Sequence, residues 1–122
     1  MVTHANFNWT NLKLDKLGWW KYFDRIIVVN EDKFKGIEHW KLMSEQIGVV
    51  PRRCLVTGDN LNGDMAGVKL GMRGILLPAV WSMYNQGEVP EGVVRAKGIA
   101  EVPDVIRRMA EEELQLKGRV RV

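Results

Sequence analysis

Asp59 and Asp64 stand five positions apart in "CLVTGDNLNGDMAGVKLGM", residues 54 to 72, where an apolar run gives way to a turn and then to helix-like periodicity. Ligands of open parallel sheets bind at the carboxyl ends of strands, and Asp59 falls at such an end. Mg²⁺ is a hard cation that takes oxygen ligands at about 2.0–2.1 Å and keeps several waters, so one or two carboxylates at a sheet rim suit it. Asn60 and Asn62 add amide dipoles without charge, Gly63 permits a tight turn, and Asp64 is placed to cap the helix that follows. Two readings fit this spacing. One is a Mg²⁺ site for phosphate chemistry; the other is a turn and an N-cap with no metal.

The elements around the pair must position it. "NWTNLKLDKLGWW" predicts a helix with Thr10 as N-cap, leucines at 14 and 17, and Gly18 as its stop. "RIIVV", residues 25 to 29, is a β-branched run that predicts a buried strand, with a turn at Asn30-Glu31-Asp32. Ile37, Trp40, Met43 and Ile47 recur at helical spacing up to Gly48. "CLVTG" follows Pro51 as a second strand, and Met65, Val68 and Met72 mark one face of the next helix. "GILLP" is a third strand, then a Gly- and Pro-containing loop runs from about Ser82 to Gly92, and "VVRAKGIA" holds a short edge strand. Pro103 starts a last helix in which Val105, Ile106, Met109 and Ala110 share a face. Short apolar strands separated by amphipathic helices predict a parallel α/β sheet with helices packed on it. No linker or internal repeat divides residues 1–122, so one domain is expected.

Composition bounds the function. The 122 residues are 46% hydrophobic and 27% charged, the balance of a globular chain rather than a disordered one. A net charge of +3 is spread along the sequence, with Arg52-Arg53 and the tail "GRVRV" as its only concentrations. Nucleic-acid binding, which wants a clustered basic stripe, is not expected. Cys54 is the single cysteine, which excludes an internal disulfide and reads as core packing rather than a nucleophile. No apolar run reaches the ~20 residues of a membrane helix, and "MVTHANFNW" lacks signal-peptide order; a cytoplasmic protein with no membrane partner is expected. Trp19, Trp20, Tyr22 and Phe23 form an aromatic cluster, read first as core and second as a partner patch. His39 reads as a boundary residue, and His4 as a residue lining a pocket.

"LVTGDNLNGDMAGVKLGMRGILL" resembles the acidic metal motif, GDxxxxD, of the haloacid-dehalogenase-like (HAD) phosphohydrolases, with its preceding strand and following Gly-Met helix end. "LGWWKYFDRIIVVNEDKFKGIEHWKLMSEQIGVVPRRCLVTGD" and "VVRAKGIAEVPDVI" are similar to the flanking family segments, in the same order. The resemblance implies a three-layer α/β/α Rossmann-like fold and Mg²⁺ as cofactor. It makes Asp59 the metal-binding aspartate and Asp64 the second acidic residue. Lys35 matches the lysine that offsets phosphate charge, with Lys33 as a competitor, and Thr3 matches the phosphate-holding hydroxyl of the second strand.

Family phosphatases attack phosphate with an aspartate of a DxDxT motif after their first strand, forming an aspartyl-phosphate. That pattern does not occur in these residues: the aspartate of "LDKLG" follows no strand, and that of "FDRII" precedes one. The resemblance therefore implies a truncated HAD-like domain, related to phosphoglycolate-phosphatase-type hydrolases, without the first strand and the cap. Such a domain is expected to keep a residual Mg²⁺ and phosphate site, with a phosphorylated small molecule as its ligand, and not to act as a phosphatase alone. The alternatives are a non-catalytic oligomerising or protein-binding module, or one half of a split enzyme. With the central strand absent, "RIIVV" is expected either to pair directly with "CLVTG" or to leave a gap for a second copy, and a homodimer is predicted.

Overall fold

In the computed structural model, residues 1–30 and 32–120 are described; Glu31, read above as part of a turn, and the last two residues of the basic tail lie outside them. Five short strands are β1 (Val2–His4), β2 (Ile27–Val29), β3 (Leu55–Gly58), β4 (Arg73–Leu76) and β5 (Val93–Arg95). Three α-helices are α1 (Phe7–Leu17), α2 (Ile37–Ile47) and α3 (Val102–Val120). All strand pairings are parallel, in two sheets ordered β1-β2 and β3-β4-β5. Val2 is registered with Ile27, Val56 with Gly74, and Ile75 with Val94.

The layers follow from strand alternation, which sends neighbouring side chains to opposite faces. Leu76 faces a core with Val56, Met65, Trp40 and Met43, which also takes in Val2 and Val29 of the other sheet. Ile75 faces the other way and meets Ala96, Val105 and Met109 from the α3 side. Helices thus flank the parallel strands, as the sequence pattern predicts. Gly18 and Gly48 end α1 and α2 at φ 65° and 69°, the left-handed conformation that glycine adopts without a Cβ penalty. Among the described residues, no helix is long and apolar enough to cross a membrane.

Four expectations need correction. Asn6, not Thr10, caps α1: its side chain accepts from the Trp9 N–H, while Thr10 is buried and donates its hydroxyl to the Asn6 carbonyl. The segment after Asp64 is a 3₁₀ helix, Asp64–Leu70, rather than an α-helix. Its tighter winding places Gly67 against Trp40 and Met72, where a Cβ would approach Met72 Sδ to 2.6 Å. Trp19, Trp20 and Tyr22 are exposed and not core, because Gly18 turns the chain outward into the short 3₁₀ segment Trp20–Tyr22. Their polar edges find surface partners: Trp20 Nε1 donates to Asp15 Oδ1 at 2.6 Å, and Lys21 Nζ sits 5.3 Å from the Tyr22 ring centre.

The fourth concerns the sheet, where direct pairing, one of the two expected arrangements, is excluded and a gap remains. "RIIVV" does not pair with "CLVTG"; its last three residues pair with Val2–His4. The two sheets face one another across a groove of about 540 Å³, lined by Val2, Trp40, Met43, Leu55, Val56 and others. Ladder parity fixes what each edge presents. Met1 and Ala5 bond to β2, so Val2 turns its N–H and C=O away from β2. Cys54 and Gly58 bond to β4, so Leu55 and Thr57 turn theirs away from β4.

Ile75, fully buried at 0% exposure, tests how tightly the α3 layer is packed. Ile75→Ala should lower unfolding free energy by about 2–5 kcal/mol through lost burial and a cavity. Leu12→Ala, at an α1 position that is 43% exposed, should stay within about 0.5 kcal/mol. Urea denaturation of both variants reads the contrast.

Candidate functional site

The carboxyl ends of β2 and β3 lead into two loops that meet at Asp64. Asp64 is 6% exposed, and its carboxylate takes three donors. Lys35 Nζ reaches Oδ1 at 2.5 Å, and the backbone N–H groups of Asp59 and Asn60 reach Oδ2 at 3.1 and 3.0 Å. Asp64 therefore does not cap its own helix; it bends back and holds the loop that precedes it. Asn60 completes the turn, its Oδ1 accepting from the N–H groups of Asn62 and Gly63 at 3.0 and 2.9 Å. Trp40 Nε1 donates to the Gly63 carbonyl at 2.9 Å, tying the same loop to α2.

Gly58 explains the Thr-Gly-Asp order. A Cβ at Gly58 would lie 2.3 Å from Asp64 Oδ2 and 2.6 Å from Asp64 Cβ, so only glycine lets the carboxylate approach the strand end. Lys35 is placed by a second device. The Gly36 N–H donates to His39 Nδ1 at 3.0 Å, and the His39 N–H donates to the Gly36 carbonyl at 3.1 Å, which closes the start of α2. His39 is thus a boundary residue with a capping role, as its position suggests.

A cavity of about 480 Å³ opens over these groups, within the usual range for small-molecule sites. Asp59, Asp64, Lys35, Asn60 and His4 line it, joined by Phe34, Met83 and Tyr84. Of the residues expected from sequence, Asp59, Asp64, Lys35 and His4 come together. Thr3 does not line the cavity; it lies half-buried in β1, with the following residue, His4, facing the site. Lys33 is exposed, and it is Lys35 that pairs with Asp64. The Asp59 carboxylate is exposed and accepts no hydrogen bond among the described residues, which leaves it available to a ligand.

Cys54 stands apart from this chemistry. Burial pushes its thiol up from the ordinary value, and it lines a different, shallow pocket with Arg73 and Met109. A neutral thiol there is a weak nucleophile, in line with its reading as packing.

The loop from β4 to β5 supplies residues that sequence reasoning missed. Arg95 donates to Asn85 Oδ1 at 2.7 Å, to the Asn85 carbonyl at 3.0 Å and to the Gly87 carbonyl at 2.8 Å. Asn85 Nδ2 in turn bonds the Leu77 carbonyl and, at 3.5 Å, that of Asp59. The Leu61 N–H donates to the Tyr84 carbonyl at 2.7 Å. The loop is therefore fastened to both strand ends, which holds Met83 and Tyr84 over the cavity. Only an exposed arginine in an edge strand hinted at this clamp.

Solved structures identify the architecture. A haloacid dehalogenase-like family hydrolase from Xanthomonas campestris superposes with a TM-score of 0.73 over 91% of this chain, at 18% identity. This chain has a HAD-like fold. It spans 47% of that structure's length, about half. No protein-family model matches the sequence, and no curated protein resembles it. The HAD-like fold accounts for the parallel strands and for the loops gathered at their carboxyl ends.

Gly58→Ala should displace the Asp64 carboxylate and free Lys35. The expected result is a cost of about 1–3 kcal/mol from the donors left unpaired, read by urea melts. Changed amide chemical shifts at Asp59 and Asn60 would locate it. Unchanged shifts at both positions would contradict the close approach.

Proposed function

We propose that this HAD-like chain carries a Mg²⁺ and phosphate site that binds a phosphorylated small molecule without hydrolysing it unaided. The observation that supports this reading is the Asp59 carboxylate, which accepts no hydrogen bond among the described residues, beside the buried Lys35–Asp64 pair and lining the same cavity. The donor set suits only a largely hydrated Mg²⁺: Asp59 offers a hard carboxylate oxygen, Asp64 is engaged by Lys35 and two N–H groups, and the cavity is open enough for an ion that keeps its waters. Asp59 would hold the ion, and Asp64 would orient its shell from the neighbouring strand end. When bound, the ion supplies screening of phosphate charge.

Lys35 adds the protein's own positive charge on the wall of the cavity. It also keeps Asp64 oriented, so the two carboxylates do not face each other uncompensated. The described carboxylates lining the cavity are Asp59 and Asp64. Assigning Asp59 to the ion and Asp64 to Lys35 leaves neither to act as covalent acceptor. Cys54 lines another pocket, and Thr3 faces elsewhere. Binding, rather than phosphoryl transfer, is what this set of groups supports.

Calorimetry with Mg²⁺ and an assay with an aryl phosphate test this together. The wild type should bind Mg²⁺ with a millimolar dissociation constant, roughly 4 kcal/mol, and the heat should vanish in the Asp59→Ala, Asp64→Ala double variant. Turnover of the aryl phosphate should equal the buffer blank. Mg²⁺-dependent turnover that disappears in Asp59→Asn would overturn the binding-only reading and indicate a water nucleophile.

A second reading is an oligomerising module, favoured by the open groove between the sheets and by the exposed aromatics beside it. Tyr22 and Phe23 line that groove together with Leu55 and Ile47. A homodimer would cover this surface. Sedimentation equilibrium at micromolar concentration should then give twice the chain mass of 14.0 kDa, whereas one species at the chain mass would rule the dimer out.

A further inference from the structure

The cavity above Asp59 is lined by charged and amide groups and also by large apolar and aromatic side chains. Its polar floor is largely engaged internally: Asp64 takes Lys35 and two backbone N–H groups, and Asn60 Oδ1 takes two more. Beside the exposed Asn62, its rim is apolar and aromatic. Phe34 is 87% exposed and Met83 72% exposed, although both line the cavity. The His4 ring lies 6.4 Å from the Phe34 ring at an interplanar angle of 26°, which extends the aromatic surface beside Lys35. Tyr84 joins Met83 on the segment fastened through Arg95 and Asn85.

We infer that the ligand is a phosphate monoester whose organic part is a planar aromatic group, with phosphate toward Asp59 and Lys35 and the ring against Phe34 and His4. This rests on the phosphate-site reading and names the ligand class of that site. The warrant is complementarity in kind. Large apolar side chains left in water around a charged centre mark a binding surface when they share one concavity. A polyol phosphate would instead want hydrogen-bonding groups across the rim, where Phe34 and Met83 offer none, and the side-chain oxygen of Asn60 is taken by its own turn. Aromatic faces stack on planar groups with little dependence on their identity. Nucleotides and aryl phosphates share this chemistry. The Arg95–Asn85 clamp matters because it fixes the loop that carries Met83 and Tyr84, making Arg95 a positioning residue.

Equilibrium binding in saturating Mg²⁺ tests the inference, with phenyl phosphate, AMP, glycerol 2-phosphate and inorganic phosphate as separate probes. Phenyl phosphate and AMP should bind about tenfold more tightly than glycerol 2-phosphate, equivalent to ~1.4 kcal/mol. Phe34→Ala should collapse that ratio toward one, and Phe34→Tyr should restore it. Phe34 is so exposed that its loss should leave the fold intact, which thermal melting checks. Tighter AMP than phenyl phosphate would assign the ligand to nucleotides, and the reverse order to simple aryl esters. Equal affinity for aromatic and glycerol esters, or a ratio unchanged in Phe34→Ala, would overturn the inference while leaving the phosphate site standing. If inorganic phosphate and every ester fail to bind, the phosphate site and this inference fall together.

Discussion

The Asp64 carboxylate holds the two halves of the site in one place. Lys35 comes from the loop after β2 and Asp64 from the loop after β3, so their contact at 2.5 Å spans the break between the two sheets. Both side chains are well shielded, at 17% and 9% exposure. Removing one partner of such a pair strands a charge with little water to solvate it, at a cost of about 3–5 kcal/mol. Two backbone N–H groups take the remaining oxygen, which makes the carboxylate a fully satisfied anchor rather than a spare ligand.

That satisfaction divides labour between two aspartates that look equivalent in sequence. Asp64 has one oxygen on a cation and the other on backbone, so direct metal ligation would have to displace a partner. Asp59 lines the cavity while its backbone N–H is held by Asp64. One residue builds the loop; the other offers the charge.

Sequence periodicity carried the elements well where local physics decides them. The glycines at 18 and 48, the helical repeat of Trp40 and Met43, and the β-branched runs all act within a few residues, and each stands where its pattern puts it. Lys35 and Asp59 were legible because a motif fixes them relative to strand ends. Thr10 misled because Asn6 offers a better cap one turn earlier, and a buried threonine can satisfy its hydroxyl on the carbonyl four residues back. The short 3₁₀ helix at Asp64–Leu70 was hidden, since Met65, Val68 and Met72 serve either winding. The Phe34 wall was not legible, and the Arg95 clamp was hinted at only by an arginine in an edge strand. They depend on contacts eight or more residues apart across loops, and loop side chains follow no period.

The exposed aromatics are best understood together with the open edges. Val56 and Val2 are buried in one continuous core, yet the strands that carry them share no ladder. What holds the sheets together is side-chain packing under the groove, from Trp40 and Met43 of α2, and the Lys35–Asp64 pair at its end. Helix packing can fix the spacing of two strands but cannot satisfy their main chains. The outward N–H and C=O groups of Leu55 and Thr57 therefore depend on water, and water must reach them through the groove. Leu55 is held partly exposed by the same opening, and Phe23 lies half-buried at its margin. Groove and open edge are thus one feature. Any chain segment or second copy that closed it would satisfy backbone and cover aromatic surface in the same step.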